Sequence, residues 1–190
     1  MSALVFLLNY STGIPTSIGD VNVEEEGYAL AEAKYQVPIL WMALFTEANI
    51  TTAMVAYDRD ANGELLRSPE PTVFASKQEA LATYARRKDA LRNIIGPAYA
   101  QHVDEWERLL ASPFVKGTHF QIDFSDLSGM YQPGEFEPTL RAWVNGVETL
   151  AGPGWADLCG QANLGDPKSD VVHYGIRGWT AHDEELGWME

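Results

Sequence analysis

Histidine is the residue type in this chain with the widest chemical use, as a metal ligand or as an acid–base group near neutral pH. The histidines are His102, His119, His173 and His182, and no two of them form an HxxxH or HExxH pair. His119 and Asp123 share one face of a predicted strand, but four residues of strand separate their Cα atoms by about 13 Å. One ion cannot bridge that gap without a ligand from another element, so the spacing predicts neither a metal site nor another cofactor site.

Nucleophilic and phosphate-binding chemistry also lack their motifs in this sequence. Cys159 lies in the apolar segment "WADLCGQ", which favours a buried thiol over a Cys–His pair with His173 or His102. The glycines of "GMYQPGEF" and "AGPGWADL" lack the Lys-Ser/Thr of a phosphate loop, and there is no GxSxG sequence. The sequence therefore assigns no catalytic residue, and we interpret the chain as a protein that is not an enzyme.

Clustered carboxylates beside tryptophans are the pattern with the clearest chemical meaning. One cluster is Glu24 to Glu26, and the third, near the end of the chain, lies between two tryptophans. Aromatic side chains anchor interfaces, and carboxylates speed the encounter with a positively charged partner. We therefore predict partner contacts at Asp104, Glu105, Glu107, Trp179, Asp183, Glu184, Glu185 and Trp188. The alternatives are that the charges only face solvent and that the tryptophans fold back onto the core.

The overall charge indicates the kind of partner. The 190 residues carry a formal net charge of −14, with a hydrophobic content of 46%. Such a field repels nucleic-acid phosphates and anionic lipids, so we expect no nucleic-acid or membrane partner and favour a cationic protein. The single cysteine excludes an internal disulfide and is typical of a reducing compartment, so we expect a cytoplasmic protein.

Strands are predicted where apolar residues run continuously or alternate. Ala3–Tyr10 is a continuous run, typical of an interior strand and lacking the basic start of a leader peptide. Thr51–Asp58 is β-branched and ends in a turn at Asn62–Gly63. The alternation in "THFQIDF" predicts a half-buried strand, and "DVVHYGI", from Asp170 to Ile176, is the last predicted strand.

Helices are predicted where the apolar period lengthens. A buried helix begins at Pro38, and another begins with a capping box of Ser76 and Glu79 and ends at Gly96–Pro97. The basic patch of that helix, Arg86, Arg87, Lys88 and Arg92, is either a solvated face or a set of carboxylate contacts. Further helices follow from Pro97 and near Pro138. The interspersed elements predict a single α+β domain over 1–190, with one mainly antiparallel or mixed sheet packed against several helices.

Two segments carry a resemblance to a known group of proteins. The start "ALVFLLNYSTGIPTS" and the later "LAEAKYQVPILWMALF" resemble a group of small bacterial proteins without assigned enzymatic activity. They are also broadly similar to the immunity proteins of type VI secretion and other polymorphic toxin systems. The resemblance covers the first third of the chain and implies a cytoplasmic protein that binds and blocks a cognate toxin, often by plugging its active site.

The sequence therefore favours an immunity protein that occludes the active site of a basic toxin, such as a nuclease, which needs a cationic cleft for phosphate. Two alternatives stay open. One is a small hydrolase-like enzyme whose site assembles from His119, Asp123 and distant partners. The other is an acidic nucleic-acid mimic with carboxylates at phosphate-like spacing. The sequence leaves the oligomeric state undetermined.

Overall fold

The fold is an antiparallel five-stranded sheet with helices packed against it, as predicted for an α+β protein. A computed structural model describes residues 3–17, 29–165 and 171–186. The strand order is β2-β1-β5-β4-β3, and every pairing is antiparallel. The strands are β1 (Leu4–Tyr10), β2 (Ala29–Lys34), β3 (Ile50–Arg59), β4 (Leu65–Ser76) and β5 (His119–Asp123).

The helices fall between and after the strands. Those that the structure describes are α1 (Ile39–Met42), α2 (Lys77–Ile95), α3 (Ala100–Leu110), α4 (Ser125–Ser128), α5 (Phe136–Thr149), α6 (Gly152–Gln161), α7 (Val171–Arg177) and α8 (Asp183–Leu186). Single 3-10 turns lie at Glu47–Asn49 and Pro97–Tyr99. Within these ranges no helix is both long and apolar enough to cross a membrane.

The neighbouring interior strands β1 and β5 contribute side chains to the core. Leu7 pairs with Ile122, and both side chains are fully buried. The prediction of a half-buried β5 is wrong, because its polar residues Gln121 and Asp123 are buried as well. The carboxamide of Gln121 donates to the Thr16 carbonyl and accepts from the Thr16 N–H, so the 11–17 loop covers this face. A polar residue can therefore occupy a covered face when its hydrogen bonds are made.

The long hairpin of β3 and β4 confirms the predicted β3 strand and its turn, where Gly63 adopts a φ of +85°. β4 was not predicted, since its sequence "LLRSPEPTVFAS" contains two prolines, which usually indicate a loop. Only its last four residues, Val73–Ser76, pair with β5. The first part of β4 pairs with β3 alone, so the hairpin extends beyond the rest of the sheet.

The predicted buried helix at Pro38 is a single turn. Ile39 to Phe45 are all fully buried, as expected, but regular α-helix covers only α1. The indole N–H of Trp41 donates to the Arg177 carbonyl at 2.8 Å, which ties this turn to the end of α7. The segment thus serves as the centre of the core and as a contact point for distant chain.

The basic patch of α2 makes carboxylate contacts, the second of the two interpretations above. The capping box at Ser76 is confirmed, and α2 ends at Gly96 as predicted. Lys88 pairs with Glu107 at 2.7 Å and Arg92 pairs with Asp104 at 2.5 Å, which joins α2 to α3. Arg87 turns inward, where it donates to backbone carbonyls of the α1 segment and pairs with Glu148.

The predicted strand from Asp170 to Ile176 is wrong, because the described residues from Val171 onward form α7. Val172 and Ile176 are both buried, and their spacing of four residues puts them on one helix face. Gly175 packs directly against Ala162, so helix α7 lies close to the end of α6. Packing of this face outweighed the β-branched local sequence.

Two glycines determine how closely α5 and α6 approach. A Cβ added at Gly154 would overlap the Ala142 carbonyl, and one added at Gly146 would overlap the backbone of Trp155. These clashes involve main-chain atoms, which cannot rotate aside. Gly160 lies on the same helix as Gly154, but a Cβ there meets nothing within 4 Å.

We predict opposite effects of alanine at these two positions of α6. Gly154→Ala should destabilise the fold by roughly 2 kcal/mol or more, because overpacking exceeds the gain in helix propensity. Gly160→Ala should leave the free energy of unfolding unchanged or raise it by up to about 1 kcal/mol. Urea unfolding of both variants measures the difference, and equal effects would contradict the close α5–α6 contact.

Candidate functional site

A groove of about 670 Å³ lies beside β2, one edge strand of the sheet. Its walls come from three separate parts of the chain, namely β1–β2, the end of α6 and the α7 segment. The lining residues are Leu4, Glu32, Ala33, Lys34, Tyr35, Gln36, Gln161, Tyr174 and Trp179. This volume is in the range of pockets that bind small molecules or anchor side chains of a partner.

Three aromatic side chains give the groove its character. Tyr35, Tyr174 and Trp179 are 48%, 45% and 39% exposed. Tyrosine and tryptophan offer a large apolar area with a polar group at its edge, which is why they dominate binding energy at protein interfaces. Such a concentration of half-exposed aromatics is typical of a recognition surface.

The backbone orients Tyr35 directly after β2. Tyr35 adopts a φ of +58°, which is uncommon for a residue with a side chain. Its N–H donates to the Ala3 carbonyl at 2.9 Å, so the turn is held against β1. The Lys34 ammonium lies 5.5 Å from the centre of the Tyr35 ring, a cation–π contact.

Trp179 is held by its backbone, which leaves its side chain available to the groove. Its N–H and carbonyl pair with Glu32 of β2 at 2.8 and 2.7 Å. Gly178 allows this approach, because it adopts a φ of +74° and any Cβ there would overlap the Trp41 ring. The tail of the chain therefore closes the β2 edge at Glu32, and the indole lines the groove above it.

Polar groups at the groove are already oriented by internal bonds. The Gln161 side chain accepts from the Val37 N–H at 3.1 Å and donates to Asp157 at 3.2 Å. Glu32 and Lys34 bring one charge of each sign. Among residues 3–17, 29–165 and 171–186, no group of three or more His, Cys, Asp or Glu side chains could hold a metal ion. The groove is thus equipped for binding, with aromatic faces and a few fixed polar atoms.

A cluster of charges at Arg177 holds α7 against α3. Arg177 Nε donates to Glu105 at 2.7 Å, and the same carboxylate oxygen contacts His102 Nδ1 at 2.8 Å. Asp183 lies 3.7 Å from the Arg177 guanidinium and accepts from the Thr180 N–H. These contacts link the helices that carry the groove wall to the body of the protein.

Burial affects the two acids of this cluster in different ways. Burial alone would raise the pKa of Glu105, but the bond from His102 and the charge of Arg177 outweigh it and lower the pKa. Burial raises the pKa of Asp183, and Arg177 and the Thr180 N–H only partly offset this effect. Glu105 is therefore the acid whose charge the fold stabilises.

The predicted partner-binding residues divide into two groups. Asp104, Glu184 and the indole of Trp179 face solvent, and Glu107 is partly exposed while paired with Lys88. Asp183 is buried and Glu105 is only 12% exposed, so these two lie inside rather than outside, where we expected the acids. Glu185 belongs to α8, whereas Trp188 and the Glu24–Glu26 cluster lie outside the described residues.

The sequence reasoning did not identify Tyr35 and Tyr174. Eight tyrosines are spread along the chain, and nothing in the local sequence distinguishes these two. The signal that could have been used is the glycine pair Gly175 and Gly178, which flanks the end of α7 and permits close packing there. It would have indicated that this segment folds back onto the core.

The residues considered for an enzymatic site make contacts with other groups of the fold. The His119 ring stacks on Phe74, while Asp123 is buried and accepts from the Ser125 N–H at 2.9 Å. Burial raises the pKa of the Cys159 thiol to about 11, so it stays protonated at neutral pH. His102 contacts Glu105 rather than this thiol.

We predict that substitution of Glu105 lowers the free energy of unfolding far more than substitution of its neighbour Asp104. Glu105→Gln should lower the free energy of unfolding by about 3 kcal/mol near pH 7, since it leaves Arg177 short of a buried partner. The folded-state pKa of Glu105 is lowered, so its contribution is present above the unfolded value of 4.5 and is lost as the pH falls through the folded value. The difference between wild type and variant should therefore shrink below about pH 4.

The control is Asp104→Asn on the same helix. Its side chain is 58% exposed, so solvent screens its pair with Arg92 and the cost should stay below about 1 kcal/mol. Denaturant unfolding at several pH values measures both variants. An equal loss for the two, or a Glu105→Gln loss that persists in acid, would contradict the role of the cluster.

Comparison with known proteins gave no match, whether to family models, curated proteins or solved structures. The groove and the charge cluster are therefore interpreted from their own geometry and chemistry.

Proposed function

We propose that this protein binds a cationic protein toxin and neutralises it, in the manner of an immunity protein that occludes its target's active site. The observation that carries the proposal is the groove, where Tyr35, Tyr174 and Trp179 stand half-exposed on a chain of net charge −14. Aromatic anchors supply affinity, and the negative field supplies a fast encounter with a positive surface.

The distribution of charge supports a cationic partner. The sequence has 27 acidic and 13 basic side chains, and several of the bases are paired within the fold, among them Lys88, Arg92, Arg141 and Arg177. Such internal pairs neutralise one acid for each base. The 14 acids in excess have no basic counterpart in the chain, so they dominate the field that an approaching protein meets.

The shape of the groove supports binding of a protein segment. Three aromatic rings line its walls together with the charged residues Glu32 and Lys34, and Glu32 at the β2 edge offers a carboxylate beside the Trp179 indole. A lysine or arginine side chain of the partner can stack its aliphatic part on such rings and place its charge near the carboxylate. Exposed Glu184, five residues beyond Trp179, adds negative charge after the same segment.

We predict that Trp179 is an energetic anchor of this complex. The protein is co-expressed with the product of the adjacent gene, and binding and rescue of growth are measured. Trp179→Ala should weaken binding by roughly 30-fold or more and reduce rescue, because a central aromatic anchor contributes at least ~2 kcal/mol.

The matched control is Ile94→Ala, which removes another exposed apolar side chain, on the outside of α2. It should leave binding and rescue unchanged. Both variants must show wild-type unfolding, since the backbone of Trp179 pairs with β2 in either case. If Trp179→Ala binds as tightly as the wild type, the groove is not part of the interface. If the wild type forms no complex at all, the proposed function is wrong.

A further inference from the structure

The second edge of the sheet differs from the first in a way that suggests a second interface. At the β2 edge, Trp179 occupies the backbone groups of Glu32, and β2 carries the charged residues Glu32 and Lys34. At the opposite edge, β3 is ten residues long and pairs with β4 alone among the described strands. Natural proteins seldom leave a long strand edge without charges, prolines or a cover.

The neighbouring strand shows what a protected edge looks like. Where β4 extends beyond β5, it carries Pro69 and Pro71, which cannot donate a backbone hydrogen bond to an added strand. β3 itself carries no charge or proline along the seven residues Ile50–Ala56. The Arg67 guanidinium of β4 donates to the Met54 carbonyl at 3.3 Å, which leaves the second lone pair of that oxygen for an added strand. The first interruption of the strand is the register shift between Ala56 and Asp58. Within the part of the chain that the structure describes, the stretch available for strand pairing is thus Ile50–Ala56.

Apolar side chains accompany this open edge. Met54 is 50% exposed, and Tyr57, Leu65 and Leu66 of the same hairpin are also exposed. Burying them, together with a row of strand hydrogen bonds, would stabilise a partner that pairs with β3. The hairpin therefore offers both backbone hydrogen-bonding groups and apolar side chains to an interface.

We propose that β3 pairs with β3 of a second copy of this chain, antiparallel across a two-fold axis, so that two sheets join into one. The strand complements itself. Its only charges, Asp58 and Arg59, are adjacent at one end, and any register that pairs Ile50–Ala56 with itself sets each Asp58 opposite an uncharged residue or beyond the paired stretch. Like charges therefore never face each other across the axis.

Local charge does not select a cationic partner at this edge, because Ile50–Ala56 has no charge to attract a basic surface. The net charge of −14 on each copy opposes association, so strand hydrogen bonds and apolar burial must supply the stability of the dimer. The contact also leaves the groove available, because β3 and β2 are separated by four strand spacings, about 19 Å. A dimer joined at β3 would present its two grooves at the two outer edges. This inference does not depend on the proposed function of the groove.

The test places charges on the exposed positions Thr52 and Met54. The wild type should show a monomer–dimer equilibrium in sedimentation over a dilution series. The variants T52E/M54E and T52K/M54K should each weaken the dimer about tenfold or more, since like charges then oppose each other across the axis. An equimolar mixture of the two variants should recover a dimer, because opposite charges then meet.

The control A82E/A85E adds the same two charges to the exposed side of α2 and should dimerise like the wild type. Thermal unfolding of each variant checks that it is folded. A wild type that is monomeric at every concentration would overturn the proposal. So would a dimer that withstands both charged variants, or a mixture that fails to recover it.

Discussion

The structure depends on how residues 171–186 attach to the rest of the protein. The Arg177–Glu105 ion pair joins them to α3, and the backbone pairing of Trp179 with Glu32 joins them to β2. Each joins residues more than 70 positions apart in sequence. The attachment covers the β2 edge, packs α7 on α6 through Gly175 and Ala162, and forms one wall of the groove. Recognition at this site is therefore inseparable from the folding of the C-terminal segment.

Acidic residues serve two purposes in this protein, and burial distinguishes them. Glu105 and Asp183 face Arg177 inside the fold, where the low polarity makes an unpaired charge costly. Asp104 and Glu184 face water, where a single carboxylate changes stability little and mainly contributes to the field around the molecule. A cluster that looks uniform in sequence thus contains both structural and surface charges, and only the surface charges are available to a partner.

Both edges of the sheet expose backbone hydrogen-bonding groups, but the contacts and side chains at the two edges differ. A strand edge exposes unpaired N–H and carbonyl groups that any other strand can satisfy. At β2 the chain satisfies part of that edge itself, with Trp179, and adds charged side chains. At β3 the stretch Ile50–Ala56 carries no charged side chain and, among the described strands, pairs with β4 alone, and the exposed Met54 lies within it. The first edge therefore carries an aromatic groove, whereas the second is suited to strand pairing.

Local sequence determined those features that need only neighbouring residues. The continuous apolar run predicts β1, the Ser76–Glu79 box begins α2, and the stripe of Trp143, Val144 and Val147 places α5. Composition by itself determined the negative field. Tertiary packing decided the rest. β5 is covered on both faces because Phe120 and Ile122 join the core while the 11–17 loop bonds to Gln121 on the opposite face. The segment "VVHYGIR" is a helix because Val172 and Ile176 can then be buried together. The groove belongs to this second kind, since Tyr35, Tyr174 and Trp179 meet only after distant segments have packed, and no local pattern specifies such a meeting.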